Sequence, residues 1–160
     1  MEYEKELKIA QLEAKANKKL TNRLHKVKSK KLDQEFEALH DEVFQEIDCL
    51  KCANCCKTTS PIFRNVDVER VSKRLGISAA NFEDKYLKRD EDDDLVLKSA
   101  PCVFLESDNT CSIYEDRPLA CKEYPHTNRK RMDKILPLTL QNTLICPAVS
   151  TIFERFKEKR

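Results

Sequence analysis

The residues best suited to chemistry in this 160-residue sequence are its eight cysteines. A dense run, Cys49-x-x-Cys52-x-x-Cys55-Cys56, is followed far downstream by four more: Cys102, Cys111, Cys121 and Cys146. A C-x-x-C turn brings two sulfur atoms onto one tetrahedral ion at about 2.3 Å. A third cysteine three residues later is typical of loops that hold iron–sulfur clusters. The pattern predicts thiolate coordination of a metal ion, with all eight cysteines as candidate ligands.

The adjacent pair Cys55-Cys56 bears on the number of metal centres. Neighbouring side chains point about 100° apart in a helix and to opposite sides in a strand, so two adjacent sulfurs fit one ion poorly. We therefore predict that the pair faces two sites and that the eight cysteines divide into two groups of four. The competing interpretation is that some downstream cysteines, Cys146 above all, are ordinary buried core residues.

The chemistry of the cysteines depends on the redox compartment, because disulfides form in oxidising compartments and thiolate–metal bonds in reducing ones. The sequence begins Met1-Glu2-Tyr3-Glu4-Lys5-Glu6 and has no apolar run of the kind found in signal peptides. It also lacks any stretch of about 18 apolar residues that could span a membrane. We expect a reduced, metal-bound, cytoplasmic protein with no membrane contact.

The N-terminal third of the chain predicts a helical arm. Apolar side chains recur every three or four residues between Leu20 and Leu50, and the spacing slips near residues 28–31. This periodicity favours one long amphipathic helix, or two in series, over residues 1–47. Residues 1–31 carry a net charge of +6, but no aromatic residues are interleaved with the lysines. We expect the arm to pack on the cysteine domain or to self-associate, and we do not expect nucleic acid as a partner.

The remaining residues predict short helices and one hairpin. The expected elements are an extended segment at 60–63, helices at 67–75 and 79–87 with Gly76 between them, a solvated acidic loop at 90–94, a β-hairpin pairing 102–105 with 110–114, a short helix opened by Arg117-Pro118 and a final helix from Cys146-Pro147. The fold class is α+β and mostly helical. A metal-stapled cysteine domain at 48–147, with one short β-hairpin, follows the arm and precedes a C-terminal helix at 148–160 that packs on it.

Four motifs together carry a family resemblance. The cysteine run is followed by Pro101-Cys102-Val103-Phe104-Leu105, by Cys111-Ser112-Ile113-Tyr114-Glu115-Asp116-Arg117-Pro118-x-x-Cys121, by Tyr124-Pro125 and by Cys146. In this order they resemble a bacterial family known as CxxCxxCC, or YkgJ-like, over residues 49–147. The resemblance implies chelation of zinc or iron by these cysteines and leaves the biochemical role open. Flagellin lysine methylase, a larger relative, has a similar cysteine block, but its other parts have no visible counterpart here.

No catalytic motif is recognisable, and whether the protein is an enzyme stays open. A single glycine, Gly76, excludes most phosphate-binding loops. His126 follows Cys121 by five residues and is an alternative ligand, although a histidine in this setting is more often a surface loop residue. We favour a structural or interaction module closed by metal. The alternatives are an iron–sulfur protein, with a 4Fe-4S cluster in a redox or protein-modification role, and a thiol-based metal carrier.

Overall fold

The computed structural model describes residues 2–160 and confirms a mostly helical α+β fold with helices at the N-terminus. Within these residues the helices and strands are α1 (Glu4–Leu12), α2 (Ala14–Leu24), α3 (Ser29–Val43), α4 (Cys49–Cys52), α5 (Asn54–Thr58), α6 (Asn65–Leu75), α7 (Ala79–Tyr86), β1 (Leu87–Arg89), β2 (Leu95–Leu97), α8 (Leu119–Glu123), α9 (Leu136–Asn142) and α10 (Pro147–Lys159). Short 3₁₀ turns lie at Tyr114–Asp116 and Met132–Lys134.

The chain forms two compact units. Residues 2–52 and Pro125–Arg160 make up the first, which we call the helical unit, and Ala53–Tyr124 make up the second, which we call the hairpin unit. The domain boundaries predicted from the sequence stay a prediction. In the described part of the chain, no single helix has the length and apolar composition needed to cross a membrane. Helices α9 and α10 have that length and apolar composition only when they are counted together, and the chain bends by 112° between them.

The helical unit is held together by the apolar faces that the sequence predicts. Helices α1, α2 and α3 all pack against α10, and the rings of Phe36 on α3 and Phe156 on α10 meet edge to face with centroids 4.8 Å apart. Leu20 and Leu24 on α2 are fully buried. The predicted break near residue 28 is confirmed, and a further break lies at Glu13, between α1 and α2. Burial of these side chains supplies the main driving force for folding this unit.

The hairpin unit has its two-stranded sheet in a place that the sequence did not predict. Strands β1 and β2 pair antiparallel around the acidic loop 90–94, where the Asp90 carboxylate accepts hydrogen bonds from the amides of Asp92 and Asp94. The hairpin expected at 102–105 and 110–114 is reduced to one bridge, between Leu105 and Cys111. Phe104 and Ile113 are drawn into the core of this unit, and the backbone around them turns instead of continuing as a ladder.

Gly76 ends α6 in a left-handed conformation, with φ of 69°. We expect Gly76→Ala to lower the free energy of unfolding by about 1 kcal/mol, because a β-carbon is strained at this φ. A β-carbon here would have nothing within 4 Å, so the cost is backbone strain and not a clash. Urea unfolding measures it. Gly76→Asn is the control and should cost less, since asparagine tolerates this region; equal stability of Ala and Gly would contradict the account.

Candidate metal centre

Both units contain cysteines, and no disulfide links any of the eight in the described residues. In the helical unit, Cys49 and Cys52 stand at the two ends of α4, and Cys146 directly precedes α10. The hairpin unit contains the other five: Cys55 and Cys56 on α5, Cys102 and Cys111 in the loops beside the Leu105–Cys111 bridge, and Cys121 on α8. Each unit therefore contains enough thiols to begin a metal site of its own.

The cysteines of the helical unit form one electrostatic group. Cys146 is buried, and burial is the main reason that the pKa of its thiol rises to about 12. Negative charge on Cys49 and Cys52 raises this pKa further, so both sulfurs lie within electrostatic range of Cys146. Cys146 makes no capping hydrogen bond of ordinary geometry, but the amides of Ala148 and Val149 face its sulfur and partly offset the effect of burial. A cation would stabilise three thiolates placed in this way.

A second group lies in the hairpin unit. The charge of Cys56 raises the pKa of three other thiols, those of Cys102, Cys111 and Cys121. Burial is the larger cause in each case, and it raises the pKa of Cys121 to about 12. Cys102 and Cys111 also act on Cys121, so the four sulfurs share one neighbourhood. Four sulfurs from four separate segments fit the ligand number of a tetrahedral Cys₄ site.

Backbone contacts hold three of these segments together. The amide of Cys102 donates to the carbonyl of Cys56 at 2.7 Å, which joins α5 to the loop that begins at residue 101. The bridge between Leu105 and Cys111 then sets the second loop beside the first. Cys102 and Cys111 pack against the same buried core, which contains Phe104. The close approach of Cys56, Cys102 and Cys111 is therefore a consequence of backbone pairing and core packing.

Asp67 on α6 holds the segment that leads to Cys121. Its carboxylate is fully buried and accepts hydrogen bonds from the side chains of Arg64 and Arg70 and from the amide of Leu119, at the start of α8. Arg70 also donates to the carbonyls of residues 116 and 117. Burial alone would raise the pKa of Asp67, but these hydrogen bonds hold it well below its ordinary value. The charged network fixes α8, and with it Cys121, against α6.

Amide groups and cations offset the negative charge that this group would carry. The amides of Phe104 and Leu105 face the sulfur of Cys102, and the amide of Ile113 faces the sulfur of Cys111. Lys57 lowers the pKa of Cys56, and Arg117 lowers that of Cys111 and Cys121. Hydrogen bonds and positive charge both favour the thiolate, which is the form that binds metal.

A further cationic neighbour of this group, Arg74, is distant from the cysteines in the sequence. Arg74 lowers the pKa of Cys111, donates to the carbonyl of Ser112 at 3.0 Å and forms an ion pair with Asp116 at 2.9 Å. It stands on α6, 37 positions before Cys111 in the sequence. Nothing in the local pattern around either residue indicates this contact, which arises only when α6 packs beside the loop.

Cys55 and Cys56 lie closer together than the sequence argument assumed. A hydrogen bond between their side chains is the main reason that the pKa of Cys56 falls to about 7. The adjacency of Cys55 and Cys56 in the sequence therefore does not require that their sulfurs point to different sites. The grouping of the other cysteines, one set around Cys146 and one around Cys56, now gives the better reason to expect two centres.

The donor set fits zinc or iron, because thiolates are strong ligands for both. Among residues 2–160, however, no three His, Cys, Asp or Glu side chains converge as closely as metal coordination requires. Closing a site therefore needs the sulfur atoms to come closer together than they lie in this structure. His126, the alternative ligand, lies in the helical unit with a left-handed φ of 64°.

Comparison with protein families agrees with this donor chemistry. Residues 48–141 match the family model CxxCxxCC, described as "Putative zinc- or iron-chelating domain". The chain belongs to the CxxCxxCC family. The match contains seven of the eight cysteines, and Cys146 lies beyond its end. No curated protein and no solved structure matches the chain. This CxxCxxCC chain is therefore a cysteine-cluster protein of a metal-chelating family.

Proposed function

We propose that this CxxCxxCC protein is a structural or interaction module that holds zinc in two separate thiolate groups. Cys56, Cys102, Cys111 and Cys121 form the first group and complete a four-coordinate site in the hairpin unit. Cys49, Cys52 and Cys146 form the second, in the helical unit, whose fourth ligand is not assigned. The observation that carries the proposal is the division of the thiols. Cys56 raises the pKa of three thiols in its own unit, and in the other unit Cys49 and Cys52 raise the pKa of Cys146.

Zinc is preferred to an iron–sulfur cluster because the group in the hairpin unit combines four thiolate ligands with segments that the fold must tie together. In the hairpin unit the four ligands come from four segments, so one ion joins α5, two loops and α8. Closed Cys₄ zinc sites act in this way, and their binding free energy contributes directly to folding. The zinc supplies stabilisation and no reaction step. Thiolate ligation of metal is favoured in a reducing compartment, and we propose that the protein is cytoplasmic.

The helical arm supports a monomeric module better than self-association. The apolar side chains that the sequence offered for pairing with a second copy, including Leu20, Leu24 and Phe36, are fully buried within the helical unit. An apolar face that is already covered cannot drive dimerisation through a coiled coil. The proposal therefore assigns the arm to the fold of its own unit.

Metal counting on cysteine variants tests the two-group proposal. We expect about two zinc ions per chain in protein purified without oxygen, and about one in Cys56→Ser, Cys121→Ser, Cys52→Ser or Cys146→Ser. Double variants within one group should keep one ion, because one site is already lost. Double variants across the groups, such as Cys121→Ser with Cys146→Ser, should keep none. Elemental analysis together with a visible spectrum gives the count and the metal.

The control is Ser112→Ala, an exposed neighbour of Cys111 that should leave the count at two. Loss of a single shared metal in variants of both groups would show one centre instead of two. A brown protein with sulfide-dependent visible absorption would show that the cysteines hold an iron–sulfur cluster and not zinc. The prediction that Cys55 and Cys56 serve different centres stays a prediction.

A further inference from the structure

The helical unit carries a concentration of positive charge that metal binding does not use. Residues 14–32 contain eight Lys or Arg and no Asp or Glu. We refer to these residues, together with two further exposed cations of the same unit, as the basic surface: Lys15, Lys18, Lys19, Arg23, Lys26, Lys28, Lys30, Lys31, Arg129 and Lys130. The basic surface carries +10, whereas the whole chain carries +2, so the other residues together carry −8. Charge segregated to this degree is typical of proteins that bind polyanions.

Folding brings the second basic segment to the first. Ser29, at the start of α3, donates to the carboxylate of Asp133 at 2.9 Å. The amides of Arg131 and Met132 donate to Asp33, also at 2.9 Å. As a result, Lys30 lines the same surface depression as Lys130, 100 positions later in the sequence. The sequence alone showed the lysines of the arm but not the cations that join them.

The acids beside the basic surface are largely occupied. Asp33 accepts two backbone amides, and Asp133 accepts the Arg131 guanidinium as well as the hydroxyl of Ser29. Glu37 also lines the depression. None of the ten cations of the basic surface forms an ion pair with any residue from 2 to 160. No close ion pair therefore neutralises their charge, which is available to a ligand.

On α2 the cations are arranged along one face. Lys15, Lys19 and Arg23 are four positions apart and exposed, whereas Leu20 and Leu24 are fully buried on the other side. Eight residues of helix rise about 12 Å, so the three charges form a row and not a point. Lys19 and Arg23 also line one shallow depression. A row of this kind suits a ligand with charge repeated along its length.

The residue types on the basic surface indicate which class of polyanion it fits. It contains eight lysines and no Phe, Tyr or Trp, so it lacks the aromatic platforms on which single-stranded bases stack. Helices that lie in a membrane interface combine such charges with a row of exposed apolar side chains. Leu12 is exposed near one end, but Leu20 and Leu24 are buried. We propose that the basic surface binds the phosphodiester backbone of duplex nucleic acid without reading its sequence.

This proposal reverses the expectation from the sequence. In the sequence, the lack of aromatic residues among the lysines argued against nucleic acid as a partner. That lack excludes stacking of bases on aromatic rings, but it does not exclude contact with phosphate groups, which needs only positive charge. The structure adds Lys130 beside Lys30, and neither lysine forms an ion pair with any described residue. The proposal does not depend on which metal the cysteines hold.

Fluorescence anisotropy with the full, metal-loaded chain and a labelled mixed-sequence 24-bp DNA duplex tests it. About four phosphate contacts would give a slope near −3.6 for log affinity against log salt. We expect Lys30→Ala with Lys130→Ala to weaken binding about tenfold at 100 mM salt and to reduce the slope by about 2. The matched control is Lys73→Ala with Lys88→Ala, two exposed, unpaired lysines of the hairpin unit, which should change affinity less than twofold.

Further arms of the experiment decide between the sources of phosphate. A second duplex of different sequence and an RNA duplex of equal length should bind within about threefold of the first, because the backbone is shared. The proposal would be overturned if both double-lysine variants weakened duplex binding equally, because net charge alone would then explain the binding. Tighter binding to vesicles of phosphatidylcholine with phosphatidylserine than to duplexes would also overturn it, as would no salt-dependent binding at 50 mM salt. Metal counts of all variants should stay at the wild-type value.

Discussion

Removal of the bound metal is expected to unfold the hairpin unit while the helical unit keeps its core. The hairpin unit spans 72 residues, and domains of this size seldom gain more than about 3–5 kcal/mol from an apolar core alone. Structural zinc contributes apparent binding free energies of about 10–16 kcal/mol in small domains. The loss of one ion therefore exceeds what the core of this unit can supply. Four buried or half-buried thiols would also lose the cation that offsets their mutual repulsion.

Hydrogen exchange with and without a strong chelator, under reducing and oxygen-free conditions, measures this result. Amides of Ala53–Tyr124 should lose protection by about 100-fold or more, whereas those of α3 and α10 should lose much less. The helical unit buries Phe36, Phe153 and Phe156 and needs its metal less. The control is Cys56→Ser with Cys121→Ser, which should exchange like the stripped protein before chelation and change little afterwards. Retained protection at 53–124 after complete metal removal would contradict a structural role.

The residues of the candidate site could be named from the sequence because their chemistry is local. The cysteine run and its spacing predict metal binding, and the family match confirms a metal-chelating family. Helices were also predictable where a physical signal is local. The apolar periodicity of α3, the left-handed stop at Gly76 and the proline after Cys146 all act within a few residues of where the structure shows their effects.

Other features were not predictable because they depend on contacts distant in sequence. Two β-prone runs at 102–105 and 110–114 turn away from pairing because Phe104 and Ile113 are buried in the core of the hairpin unit. The division of the cysteines is of the same kind, since spacing does not show that Cys121 lies near Cys102. Arg74 acts on Cys111 across 37 positions of sequence, and Lys130 lines the same depression as Lys30 across 100 positions. In each case tertiary packing determines which residues meet, and the local sequence pattern does not indicate it.

Asp67→Asn is expected to destabilise the hairpin unit by about 2–3 kcal/mol at neutral pH. The change removes the negative charge that two guanidinium groups share and leaves an amide facing them. Breaking a buried ion pair costs about 3–5 kcal/mol, and the lower value is expected here because Arg64 and Arg70 are 50% and 31% exposed. Urea unfolding of the metal-loaded protein measures the loss. The control is Glu42→Gln, which removes a partly exposed partner of Arg155 and should cost less than about 1 kcal/mol.

The difference in free energy of unfolding between the wild type and Asp67→Asn depends on pH if the charge of Asp67 causes it, and does not if the shape of the side chain causes it. Hydrogen bonds from Arg64 and Arg70 outweigh the effect of burial and hold the pKa of Asp67 in the folded state below the ordinary aspartate value of about 3.9. A carboxyl with a lowered pKa in the folded state contributes its full stabilisation above the unfolded-state pKa and loses it as the pH falls toward the folded-state pKa. The gap in free energy of unfolding between the wild type and Asp67→Asn should therefore be constant from pH 7 to 5 and narrow below about pH 4. A gap that stays unchanged down to pH 3 would show that asparagine fails to fit for steric reasons, and that the charge of Asp67 does not hold the segment before Cys121 in place.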